Sequence, residues 1–132
     1  MLANVQTLTL PLSAAASQYR FLKIANAGSV IQAAAAGDDA VAVSLEGRSA
    51  QDITDGKTTV TVALPGCKVF ITAGAAIDVS AAIVPVTTDS TGRAVAVAAA
   101  TDRVLGYALQ SAGAANEIIE ILFLKAADRR DA

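Results

Sequence analysis

The stretch from Gly92 to Lys125, "GRAVAVAAATDRVLGYALQSAGAANEIIEILFLK", decides what kind of fold this chain can make. It holds three short apolar runs, at 93–98, 103–110 and 117–125, and "SAGAAN" links the last two. Runs of this length, bounded by Gly, Asp or Asn, predict β-strands joined by tight turns. In the last run Ile119, Ile121 and Phe123 fall on one face of a strand, and Ile118, Glu120, Leu122 and Leu124 on the other. Both faces are largely apolar, the pattern of a central strand or of one at an interface. Ile119, Ile121 and Phe123 are read as the core face and Ile118, Leu122 and Leu124 as the candidates for contact with a neighbouring subunit, with the reverse assignment of the two faces left open.

The same chemistry recurs upstream. "YRFLKI" (19–24) alternates and ends at the turn Asn26-Ala27-Gly28, and "VAVSL" (41–45) ends at Glu46-Gly47. "KTTVTVALPG" (57–66) and "CKVFITAG" (67–74) predict two more strands, and a short one is expected before Pro85. Residues 29–36 fit either a short helix or a strand, and Asp52, Asp55 and Gly56 mark a turn. No long amphipathic helix is present to build alternating βαβ units. The expected fold is therefore all-β, a small sandwich or barrel of short antiparallel strands.

The first residues differ. In "VQTLTLPLSAAAS" (5–17), Leu8, Leu10 and Leu12 alternate with Thr9 and Pro11 and make one sticky face of an extended segment. Pro11 has no N–H and disfavours a central strand. Residues 1–18 read as an N-terminal arm, with a first, frayed strand of the domain as the alternative. The β domain is then 19–126, followed by a charged tail at 127–132.

Composition narrows the function. The chain has 132 residues, 54% of them hydrophobic but only 4% aromatic, with no Trp. Much of the apolar content is Ala, which buries little area per side chain, so oligomerisation is expected to add burial. Ten Lys and Arg oppose twelve Asp and Glu, and the longest basic cluster is Arg129-Arg130. A nucleic-acid binder would carry a basic stripe with aromatic platforms, so no nucleic-acid partner is expected. No apolar run is long enough to span a bilayer, and no signal peptide is read, so the chain is expected to be made in the cytoplasm without a membrane anchor.

Catalytic chemistry is scarce. There is no His, which removes the usual base for a nucleophile and the usual zinc ligand. Cys67 is the single cysteine, cannot form an intrachain disulfide, and is expected as a small buried hydrophobe at a strand start. "DITDG" (52–56) lacks the alternating oxygen ligands and terminal Glu of a calcium loop. Phosphate-binding glycine loops are absent. No catalytic residue, metal or cofactor is expected, and the reading is a binding or structural protein, not an enzyme.

The order of motifs carries a resemblance. "GDDAVAVSLEG" is followed by "VFITAGAAIDVS", then by a turn ending at Gly92, "DRVLGYAL" (102–109) and a terminal apolar strand. This progression resembles the small capsid cement, or decoration, proteins of tailed bacteriophages, over roughly residues 20–125. The resemblance implies a virion protein on the capsid exterior, commonly a homotrimer at threefold and quasi-threefold positions. Such a protein clamps neighbouring major capsid protein subunits and stabilises the expanded head. Val5, Leu8, Leu10 and Leu12 would then be the capsid-contact arm. The alternative is a receptor- or glycan-binding β-module of a virion fibre or adhesin, for which Tyr19 and Tyr107 are the only tyrosines.

Overall fold

The computed structural model describes residues 7–99 and 102–124. Two five-stranded antiparallel sheets account for nearly all the regular structure, so the fold is all-β. The first sheet contains β1 (Thr7–Pro11), β2 (Phe21–Ile24), β3 (Val30–Gln32), β4 (Ala42–Ser44) and β5 (Thr59–Ala63). The second contains β6 (Cys67–Thr72), β7 (Pro85–Thr88), β8 (Ala94–Ala96), β9 (Gly106–Ala108) and β10 (Ile118–Phe123).

The strand orders are β1-β5-β4-β2-β3 and β6-β10-β9-β7-β8. Renumbering the second from its own first strand gives the first: the chain is a tandem duplication of one topology. Register repeats as well. Leu22 faces Ala42 and Gln32 as Val86 faces Gly106 and Ala96. Thr9 faces Thr61 as Phe70 faces Glu120.

Hydrogen bonds outside the ladders repeat too. The Val41 amide donates to the Leu22 carbonyl at 2.9 Å, and the Leu105 amide to that of Val86 at 2.8 Å. The turn closed by Asp38 N–H to the Ala35 carbonyl recurs as Asp102 to Ala99. Gly28 and Gly92 hold equivalent left-handed positions, φ 77° and 79°, in the β2–β3 and β7–β8 hairpins, where a side chain would be strained.

Each sheet curls until its ends nearly meet. Just past β1, Leu12 forms a parallel bridge with Val30 at the opposite edge, and just past β6, Ala73 bridges Ala94 in the same way. Neither sheet becomes a closed barrel, because single bridges join the edges. The inside of the first curl holds Leu12, Leu22, Val30, Ala42, Val60 and Val62, with Ile53 packed against them. A larger core unites the halves, combining Phe21, Val43 and Ala63 of the first with Ile71, Val86, Ile119, Ile121 and Phe123 of the second. Phe21 and Leu22 are consecutive and both 0% exposed, because β2 is covered on both faces.

Several local expectations are corrected. The turn read at Asp52, Asp55 and Gly56 is present at Asp55-Gly56, but it closes an unexpected helix, α1 (Ala50–Thr54). Its cause is a reciprocal capping box: the Ser49 hydroxyl accepts from the Asp52 amide, and the Ser49 amide donates to the Asp52 carboxylate. The helix is an insertion in the first half; the second passes from Ala112 to β10 through a short turn in which the Gly113 amide donates to Glu117 Oε1. Residues 29–36 resolve as β3 followed by turns. No strand lies between β6 and Pro85; β7 begins at Pro85, the first-residue position at which a strand tolerates proline.

Residues 7–18 are woven into the first sheet. β1 pairs with β5 along its length, Leu12 is 2% exposed, and Ala16 bridges Arg48. As Pro11 requires, β1 lies at a sheet edge. The charged tail at 127–132 falls outside the described residues.

Candidate interaction surface

The side chains singled out from the sequence fall into different surroundings. Val5 lies outside the described residues. Leu8 is 47% exposed, Leu10 is half-buried, and Leu12 is part of the first-half core. All three side chains are on the concave side of β1, since Leu8 faces Val62 and Leu10 faces Val60. Exposure falls steadily along them toward the inside of the curl.

On β10 the alternation is as the sequence suggests. Ile119, Ile121 and Phe123 are buried, while Ile118 is half exposed and Leu122 and Leu124 are half-buried. The outward side chains continue across the sheet. Leu122 faces Tyr107 and Lys68, and Glu120 faces Phe70. Phe70 is itself largely exposed, and its ring lies 5.9 Å from that of Tyr19. This outer face is largely apolar, interrupted by Lys68 and by Glu120 in the middle of β10.

Further apolar side chains stand out beyond those that the sequence singles out. Ile24 is 61% exposed at the end of β2, Ile83 is 81% exposed before β7, and Leu109 is 47% exposed after β9. Exposed aliphatics in one chain are ordinary singly, but not in a concentrated group. No sequence signal marks them, because each sits in an apolar run that reads as core.

Polar groups act mainly as internal ties. Asp89 accepts from the Thr91 and Arg93 amides and from the Thr91 hydroxyl, and it pairs with Arg93 Nε at 3.0 Å. Arg93 also donates to Asn116 Oδ1 at 3.0 Å, anchoring the β7–β8 hairpin to the turn before β10. Burial would raise the Asp89 carboxyl, but these donors and the Arg93 charge outweigh it and hold it below the ordinary carboxylate value. Arg20 reaches the same hairpin, donating to the Thr91 carbonyl at 2.9 Å.

An open cleft of about 500 Å³ lies beside the Ala16–Arg48 bridge, lined also by Ser17, Gln32 and Ser49. Its polar groups are engaged: Gln32 Oε1 accepts from the Ser17 amide, Ser49 caps α1, and Arg48 Nε donates to the Thr59 carbonyl. Among the described residues no three His, Cys, Asp or Glu side chains gather to hold a metal ion. Cys67 opens β6, half-buried, with its thiol 3.2 Å from the Leu64 carbonyl. No helix of the described residues is long and apolar enough to cross a membrane.

No family model and no curated protein matches this chain. Among solved structures it is similar to the N base of head fiber gp8.5 in bacteriophage phi29, with a TM-score of 0.68 and 19% sequence identity. The likeness covers 93% of this chain and 97% of that one, so the whole two-sheet fold is shared.

Proposed function

We propose that this chain is a structural protein of a tailed-phage virion, bound to the outer surface of the head. The observation that carries this reading is the fold it has in common, nearly end to end, with the base of a phage head fibre. The site chemistry is in accord: the polar side chains tie turns together, and the exposed side chains that stand out are aliphatic and aromatic. In its finer form the proposal is a cement role. The protein associates with itself as a homotrimer and grips neighbouring major capsid protein subunits on the expanded shell. The outer face of β10, with Ile118, Leu122 and Leu124, meets a subunit neighbour, and the start of the N-terminal segment, with Val5, meets the shell. Repetition on a lattice converts weak single contacts into firm retention.

A second reading is favoured by the name of the similar structure, which is a fibre's base: the chain would then seat a fibre on the head. The two readings differ in copy number.

The test is co-sedimentation of purified protein with expanded empty capsids that lack this component. Saturable binding near one copy per major capsid subunit supports the cement role. Saturation at far fewer copies supports a fibre base, and no binding by a well-folded protein rejects attachment to the head.

A further inference from the structure

The duplication makes a comparison possible within one molecule: apart from the α1 insertion, the strands and faces of one half have counterparts in the other. The internal junction uses two different surfaces. The first half presents an outer face, where Phe21, Val43 and Ala63 are fully buried against the second half. The second half receives it at the mouth of its curl. There Phe123 stacks near Phe21, the Gly37 amide donates to the Thr88 carbonyl, and the Phe21 amide donates to that of Gly92.

Both surfaces occur a second time, uncovered. The counterparts of Phe21, Val43 and Leu45 on the outer face are Pro85, Tyr107 and Leu109. Their exposure rises at each step: Phe21 and Val43 are buried while Pro85 and Tyr107 are half-buried, and half-buried Leu45 becomes Leu109, 47% exposed. Ile83, 81% exposed, stands at the counterpart of Tyr19, whose carbonyl accepts from the Thr72 amide across the junction.

The mouth of the first curl shows the same thing in reverse. Val69, Ile71 and Phe123 of the second half are buried at 5%, 0% and 0%. Their counterparts Leu8, Leu10 and Leu64 are exposed or half-buried. Ile24, 61% exposed, occupies the place of Thr88, which is 0% exposed and receives the Gly37 amide. Of the six large hydrophobic side chains exposed among the described residues, Leu8, Ile24, Ile83 and Leu109 thus sit at positions that the other half covers.

From this we infer that a second copy of this chain covers them. The outer face of the second half, with Ile83, Tyr107 and Leu109, docks into the mouth of the first half of the next copy, at Leu8, Ile24 and Leu64. The contact reproduces the internal junction between molecules. It is heterologous, so copies join head to tail, forming a ring where the angle closes and a filament where it does not. The inference shares the self-association in the proposed function and specifies its surfaces, but it does not depend on attachment to a shell.

Light scattering on the full-length chain after size exclusion tests it. The wild type is expected as an oligomer, Ile24→Asp and Leu109→Asp each as monomers. Each variant loses a different half of the contact, so an equimolar mixture of the two is expected to give a 1:1 pair. Both positions are exposed in the single chain, so the circular-dichroism spectrum should be unchanged; if it is not, Ile24→Thr and Leu109→Thr replace them. A monomeric wild type, variants that keep the wild-type mass, or a mixture that stays monomeric would each overturn the inference. An oligomer that fails to bind capsids would leave it standing and reject head attachment instead.

Discussion

The rings of Phe21 and Phe123 lie 5.8 Å apart, tilted by 53°, with one in each half of the duplicated fold. Neither is exposed. A tilted pair at this distance adds a directional attraction to the area it buries. Because the larger core draws on both sheets, the halves should unfold together and not as independent domains.

Phe21→Ala removes a fully buried ring at that junction. The expected cost is about 3–5 kcal/mol, from lost burial and the cavity left behind. Urea unfolding followed by circular dichroism checks it: one transition in the wild type, and a lower midpoint or two separated transitions in the variant.

Gly106 answers to a different constraint. A Cβ built there would collide with the carbonyl oxygen of Leu122, because β9 and β10 approach closely at this point. The strain falls on backbone, which cannot swing aside as a side chain can. Gly106→Ala should therefore destabilise by about 1–3 kcal/mol. Thermal unfolding beside Gly113→Ala, where the nearest atom is a Glu117 carboxylate oxygen, separates this clash from a general loss of glycine.

How much of this was legible in the sequence depends on the kind of signal. Alternation in 117–125 groups Ile119, Ile121 and Phe123 on one face, because a period of two shows directly in apolar residues, but with both faces apolar only burial in the fold decides which is the core. The α1 helix was missed although Ser49 and Asp52 carry a capping box, since five residues offer no periodicity to support it. The duplication was hidden for a physical reason. A strand pair needs a register and small or apolar inward residues, not particular ones, so Leu22 became Val86 and Ala42 became Gly106 without changing the fold. Only scattered anchors persist, such as Gly28 with Gly92 and Asp38 with Asp102. The exposed faces are legible only in part: Leu8 and Ile118 are singled out, but Ile24, Ile83 and Leu109 are not, since Leu109 and Leu45 differ in what covers them and not in type.

Acid should act through Asp89. Its folded value lies below the ordinary carboxylate value: burial opposes this, and the Arg93 and Thr91 donors and the Arg93 charge more than reverse it. Such a group contributes its full stabilisation above the unfolded value of about 3.9, and loses it as pH falls through the lower folded value. Stability should decline as pH drops below about 4–5, helped by Asp38, which is held low against burial by Lys23 and the Ala34 and Ala35 amides. Asp89→Asn should cost about 1–3 kcal/mol at neutral pH and flatten the acid decline. Urea midpoints measured from neutral pH down to about pH 3 decide it; an unchanged slope in the variant would mean the decline lies with other carboxylates.

The N-terminal segment divides at β1, and the division sets the test of its role. Residues 7–12 supply an edge strand paired with β5 and the buried Leu12, whose amide donates to the Thr58 carbonyl at 2.8 Å. Deleting 1–12 removes that strand and opens the first core, so it should lower the unfolding midpoint strongly or prevent folding. Leu12→Ala alone should cost about 2–5 kcal/mol. Deleting 1–6 spares every one of these contacts. The shorter deletion should melt as the wild type does, and on the proposed function it should be retained less well by capsids. Co-sedimentation beside thermal unfolding separates the outcomes: normal melting with weakened retention assigns the shell contact to the first six residues. Normal melting with full retention moves that contact to the exposed faces of the folded domain.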